Sequence, residues 1–218
     1  MNIKISENIK NVCPELQLGI IRATVSNSET SDELWSKLLE ESEKIRNTYK
    51  IEEINKIPEI LSTRQAYKKL GKDPNRYRPS AEALCRRIVR DIPIYRLNTL
   101  VDIINIVSIS SGYSIGAFDA EKIQGDLFLD VGKSDELFEA IGRGLLNIEG
   151  LPVFRDKLGG IGTPTSDCER TKITMETKKI LIIINDYYGL PELGNVIDYC
   201  LNLLRDFALA ENLEEYII

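Results

Sequence analysis

Between Asn98 and Ser111 the chain sets Leu100, Val101, Ile103, Ile104, Ile106, Val107 and Ile109 around nearly every side of a helical wheel. A helix that is apolar all round has to be enclosed by other elements, so the rest of the fold must wrap this rod. The 218 residues suffice, because surface scaling gives about 10,000 Å² folded against about 36,000 Å² extended, burying about 72% of the chain. A single domain over residues 1–218 is the expectation at this length. On the same rod Asn98, Asp102 and Asn105 stand at i, i+4 and i+7, with Ser108 close to that line. Such a polar stripe needs partners, either backbone groups of neighbouring loops or ligand and water in a pocket.

The surrounding elements follow from periodicity and punctuation. Leu16 to Val25 reads as a strand whose apolar phase switches from Leu16, Leu18, Ile20 to Ile21, Ala23, Val25, as an inserted residue near Gly19 would cause. Thr30 followed by Glu33 spells a capping box ahead of a helix with Leu34, Leu38 and Ile45 on one face. Ile57 to Lys72 is expected to be helical, ending at Gly71, and Ser80 offers an N-cap for a helix to about Arg90 before Pro93 breaks the chain. Leu127 to Val131, Thr171 to Met175 and Lys179 to Asn185 read as strands, with turns at Gly142, Gly144 and Gly150. Leu193, Val196, Ile197, Cys200, Leu204 and Phe207 repeat as an amphipathic helix. The expected class is α+β, a mixed, largely antiparallel sheet flanked by helices, rather than regular βαβ winding.

Composition narrows the chemistry. The chain has no histidine, which removes Ser-His and Cys-His hydrolase mechanisms and the commonest zinc ligand. Cys13, Cys85, Cys168 and Cys200 lie far apart without a paired short spacing, so no metal site and no cofactor are expected, and the thiols read as reduced in a cytoplasmic protein. The longest apolar run, Ile180 to Ile184, is far short of a bilayer span, so no membrane partner is expected.

Charge is uneven. From Arg64 to Arg96 ten basic residues face only Asp73, Glu82 and Asp91, an island of +7 in a chain of net charge −6. The remainder would repel a polyanion and so orient it onto the island, unless the arginines pair with acidic neighbours. Lys68, Lys69, Lys72, Arg76, Arg78, Arg86, Arg87 and Arg90 are the candidate nucleic-acid contacts. Leu158 to Thr163 is glycine-rich, and Gly159 and Gly160 either present backbone N–H groups to an oxyanion or carboxylate or simply make a turn. Ser166, Asp167, Arg170 and Thr171 bring hydroxyl, carboxylate and guanidinium groups together, lining a pocket or forming a capped turn. No phosphate-binding G-x-x-x-x-G-K-[ST] pattern is present.

The run Asn98-Thr-Leu-Val-Asp102-Ile-Ile-Asn105-Ile-Val107, then Gly112 and Gly116-Ala-Phe-Asp119, resembles the B3/B4 domain of the bacterial phenylalanyl-tRNA synthetase beta subunit. Arg76-Tyr-Arg-Pro-Ser80 through Arg87, and Ser166-Asp-Cys-Glu-Arg170-Thr171, look more like the free-standing members of that family, and the match runs from about 64 to 189. The resemblance implies a B3/B4-like fold, binding of tRNA or aminoacyl-tRNA, and editing in trans by hydrolysis of a mischarged ester, with water beside the ester and help from the ribose hydroxyl. It places Asn105 at the family's pocket asparagine and Asp102 at the acid of the motif. Ile104 stands where the synthetase often has a threonine, and Gly116 where it has a histidine. The substrate-pocket candidates are Asn98, Asp102, Asn105, Gly116, Gly159, Gly160, Ser166, Asp167 and Arg170, with no catalytic residue assigned. The alternative is a non-catalytic module that binds a free amino acid or a tRNA end.

Overall fold

A computed structural model describes residues 1–218. In chain order the elements are β1 (Ile3–Ile5), α1 (Glu7–Val12), β2 (Gln17–Thr24), α2 (Asp32–Thr48), α3 (Pro58–Lys69), α4 (Ser80–Val89), α5 (Thr99–Ser111), β3 (Ser114–Asp119), β4 (Leu127–Val131), β5 (Glu139–Ala140), β6 (Gly144–Leu145), β7 (Pro152–Asp156), β8 (Gly159–Thr163), β9 (Ser166–Asp167), β10 (Lys179–Asp186), α6 (Leu193–Ala208) and β11 (Glu211–Ile217). They form an α+β fold. One sheet has the order β11-β2-β10-β3 and is antiparallel throughout. The second large sheet, β1-β4-β7-β8-β9, is antiparallel except for the β1–β4 pair, and β5 and β6 form a separate two-stranded antiparallel ribbon.

The two sheets stack, and helices cover the outer face of the first. Alternation along β10 sorts its side chains between these layers. Ile180, Ile182 and Ile184 join the cluster formed with α2, α5 and α6, whereas Leu181 and Ile183 pack with Leu127, Leu129, Phe154 and Ile161 of the second sheet. The same sorting accounts for β2, where the expected bulge near Gly19 does not occur: Gly19 pairs in regular register with Ile184 and Ile217. Leu18 and Ile20 face the second sheet while Ile21, Ala23 and Val25 face the helices. The switch of apolar phase therefore reflects burial on both faces, which alternation alone cannot tell from an inserted residue.

α5 is the enclosed rod, with Ile103, Ile106 and Val107 fully buried. Asn98 caps it, its side chain accepting from the Val101 N–H at 3.1 Å. Its far end closes on Gly112 in the left-handed region, φ 80°. The helices on either side pack through Ile45, Ile60, Cys85, Ile88 and Ile109.

Three further local expectations differ from what forms. The cap of α2 is Ser31, which accepts from the Leu34 N–H at 3.2 Å, because the Thr30 hydroxyl is drawn to Asp102, 72 residues away. Ser80 is the first residue of α4 rather than its cap, and its N–H donates to the Pro164 carbonyl. Thr171 to Met175 is not a strand: Glu169–Thr171 makes a 3-10 turn, and the Thr174 N–H is bonded by the Thr177 hydroxyl. β11, which pairs with β2 through a largely exposed, glutamate-rich segment, has too weak an alternation for the sequence to announce it. No helix is long and apolar enough to cross a membrane.

Candidate functional site

A cavity of about 410 Å³ opens where the N-terminal half of α5 meets β3 and β9. α5 contributes Val101, Ile104 and Asn105, preceded by Leu97 and the cap Asn98; β3 contributes Ile115 and Ala117. Ile141 and Ile173 close the apolar wall, and Asp167 and Lys172 add charge. A second cleft, of about 470 Å³, lies at the C-terminal end of α5 between Glu59, Glu192 and Tyr199, and contains none of the polar stripe.

The position of Asp167 follows from sheet topology. β3 is the outer strand of its sheet, so the Ala117 N–H lacks a strand partner, and Asp167 Oδ2 accepts it at 3.1 Å. Two glycines make room for this arrangement. A Cβ on Gly162 would sit 2.5 Å from the Phe118 Cζ and 2.8 Å from Asp167 Oδ1, and one on Gly116 would sit 2.7 Å from the Phe118 Cζ. Burial pushes the Asp167 carboxyl up to about 7, with the Ala117 N–H pulling the other way. Around neutral pH this group therefore holds or releases a proton inside a mostly apolar cavity.

The polar stripe divides. Asp102 is fully buried and lies outside the cavity lining, its Oδ2 bonded by the Thr30 hydroxyl at 2.5 Å and the Leu97 N–H at 3.2 Å. Burial raises its carboxyl, and those two bonds oppose the rise. Ser108 donates to the Tyr113 carbonyl at 2.8 Å. Ser108 and the Oδ2 of Asp102 are thus spent on neighbouring loops and turns, the Asp102 Oδ1 being buried without a partner, while Asn98 and Asn105 face the cavity.

The other sequence candidates are placed as follows. Gly116 lies in β3 beside the Asp167 carboxyl. Gly159 and Gly160 lie in β8, paired with Asp156 and Arg155 of β7, and the space at Gly160 is filled by the Phe138 ring. Ser166 begins β9 and donates to the Asp167 carbonyl. The Arg170 guanidinium clamps Asp156 with two bonds, at 2.7 and 3.0 Å, and also donates to the Lys122 carbonyl. Sequence reasoning passed over Leu97, Ile115, Ile141, Lys172 and Ile173 as lining residues; Ala117 carried a signal as part of the Gly116 to Asp119 motif, and Gly162 as part of the glycine-rich Leu158 to Thr163 run.

The basic island is largely absorbed by the fold. Glu82, fully buried, accepts from Arg64 at 2.6 Å and from Arg86 at 2.7 Å. Lys72 donates to the carbonyls of Asn147 and Glu149 and lies 3.7 Å from the Tyr77 ring centroid. Lys69 reaches the Val12 carbonyl, and Arg87 the Pro93 carbonyl. Lys68, Arg76, Arg78 and Arg90 remain exposed. None of these basic residues lines the cavity.

Two stacked sheets under a helical layer, with a cavity where a sheet edge meets a buried helix, define an α+β domain with one candidate binding site. Residues 62–187, more than half of the chain, match the model of the B3/4 domain. The chain belongs to the B3/4 domain family. Among solved structures, an N-terminal fragment of the phenylalanyl-tRNA synthetase beta-subunit from Pyrococcus horikoshii is similar at 15% identity and a TM-score of 0.48, over 99% of this chain and 50% of that one. The chain thus spans about half the length of that fragment. No curated protein matches it.

Proposed function

We propose that the chain binds the aminoacyl end of tRNA, as a single domain acting in trans in the cytoplasm, and hydrolyses a mischarged ester whose amino-acid side chain enters the α5–β3 cavity. The observation that carries this reading is the pairing of an apolar wall with one carboxyl, Asp167, whose Oδ2 takes a backbone N–H and whose Oδ1 has no protein donor. A side chain with an apolar body and a polar tip fits that arrangement. Asn98 and Asn105, on the α5 side, are placed to orient the ester. Membership of the B3/4 family supports tRNA as the partner.

The lining contains no serine, threonine, cysteine or histidine, and in this reading the attacking group is water rather than Asp167 or Lys172. Its oxygen bonds to the acyl carbon as the bond to the ribose oxygen breaks; one proton goes to that ribose oxygen and the other to solvent, releasing the amino acid as a carboxylate. Incubation with a panel of mischarged tRNAs tests the reading. Ester loss above the buffer rate on at least one substrate, slowed tenfold or more by Asn105→Ala, is expected. Loss at the buffer rate on every substrate would remove the enzyme.

The second reading, a binding module without turnover, is favoured by Ile104, an apolar side chain in the cavity wall where the family resemblance places a threonine. Calorimetry with free amino acids separates the two, because selective binding without ester loss selects the module.

A further inference from the structure

Just before α5 the chain crosses the surface through Asp91–Leu97 without helix or strand. This segment leaves apolar side chains in water: Ile92 is 41% exposed, Leu97 59% and Tyr95 69%. The segment is nevertheless held firmly. Arg87 donates to the Pro93 carbonyl at 2.7 Å, and its guanidinium lies over the Tyr95 ring, 5.3 Å from the centroid. Arg96 bonds the Thr30 carbonyl and the Asp32 carboxylate and lies over Trp35. The Leu97 N–H is fixed by the buried Asp102. The backbone is therefore ordered in advance of any partner, while one large aromatic ring stays in solvent.

The location of that ring suggests its use. Leu97 and Asn98 line the α5–β3 cavity, and Tyr95 is three residues from Asn98, a span of at most about 11 Å. With Arg87 over the ring, one side is supported by a cation, and Arg87, Arg90 and Arg96 outnumber Asp91 along the segment. An exposed aromatic beside positive charge is the arrangement on which single-stranded bases stack.

We propose that Tyr95 is a stacking platform for a base at the 3′ end of an RNA whose terminal ribose carries the ester lodged in the cavity. Arg87 holds the ring, and Arg90 and Arg96 supply charge toward the phosphates. This rests on the reading of the cavity as an aminoacyl-tRNA site and adds the subsite that receives the nucleotide end. It also moves the RNA contact from the broad island, much of which is bonded internally, to the edge of the cavity.

The test uses an uncharged tRNA transcript carrying 2-aminopurine in place of its terminal adenosine, with the full chain at fixed low salt. Wild type and Tyr95→Trp should quench the fluorescence, and Tyr95→Ala should not. Tyr95→Ala should weaken affinity for the transcript about tenfold. Removing the last three nucleotides should weaken wild type by a similar factor and leave Tyr95→Ala unchanged, since both changes delete one interaction. If wild type binds no transcript at any salt, the aminoacyl-tRNA reading and the platform fall together. If it binds, but neither Tyr95→Ala nor truncation changes quenching or affinity, the platform alone falls. Self-association abolished by Tyr95→Ala, with RNA affinity intact, would identify the ring as a protein contact and overturn the proposal.

Discussion

Two carboxyl groups, the fully buried Glu82 in α4 and the half-buried Asp167 in β9, are held in opposite ways. Glu82 has no exposed surface, and each of its oxygens is met by an arginine, Arg64 on one and Arg86 on the other. Asp167 has one backbone donor, no cation, and a cavity in front of it. A carboxylate that is fully paired is committed to the fold, because anything displacing its partners leaves a buried charge. One with an unused oxygen and a perturbed proton affinity remains available to a ligand. Burial alone does not mark a site, and neither does an unfilled acceptor, since the Oδ1 of Asp102 is unfilled outside the cavity; at Asp167 the unfilled oxygen belongs to a residue that lines the cavity.

The comparison breaks most readily at Arg64. Arg64→Ala should cost about 3–5 kcal/mol, since it strips one partner from a buried charge. Urea unfolding measures this, and a loss under about 1 kcal/mol would mean that Glu82 is not committed to the fold as described.

Gly162→Ala tests the other carboxyl. The added methyl meets Phe118 at 2.5 Å and Asp167 Oδ1 at 2.8 Å, and overpacking of that kind costs about 1–3 kcal/mol. Gly194→Ala, with nothing within 4 Å in α6, is the control and should lose no stability. Equal effects of the two on the thermal midpoint would show that the contact of Gly162 with Phe118 and Asp167 is not tightly packed.

Protons sharpen the contrast. The Asp167 carboxyl is raised to about 7, so its contribution is greatest at low pH, where folded and unfolded forms are both protonated. That contribution is lost as pH rises from about 4, where the unfolded chain ionises, to about 7, where the folded one does. Asp167→Asn should therefore gain stability relative to wild type between pH 4.5 and 8, read as the difference in denaturation midpoints. At Asp156 burial acts upward, but the Arg170 clamp and two backbone N–H bonds outweigh it and hold the carboxyl low. Its contribution is present above the unfolded carboxylate range and lost as pH falls. A wild-type-minus-Asn difference of the same sign at both positions would remove the distinction.

The smallest effect is expected at Lys68, which is exposed. Lys68→Ala should stay within about 0.5 kcal/mol of wild type. A larger loss would show that the island contributes to stability beyond its internally bonded members.

Much of the framework was legible before the structure. The enclosed helix between Asn98 and Ser111, the buried strand expected at Lys179 to Asn185 and the amphipathic helix from Leu193 through Phe207 form where periodicity places them. The misread places share a cause. Thr30 left its expected capping role for Asp102, and the β2 side chains divide between two layers. The cavity was legible in part. Asn98, Asn105 and Asp167 were among the candidates and line it, while Arg170 turned out to be bonded to Asp156.

By itself the sequence determined that this protein has a largely buried helix with a set of polar groups along it, because helical periodicity acts over three or four residues. Only the tertiary structure decided which of those groups are consumed. Thr30 reaches Asp102 across 72 residues, and Ala117 meets Asp167 across 50. Such pairings arise when separate layers close on one another, and no local spacing encodes which donor will arrive first.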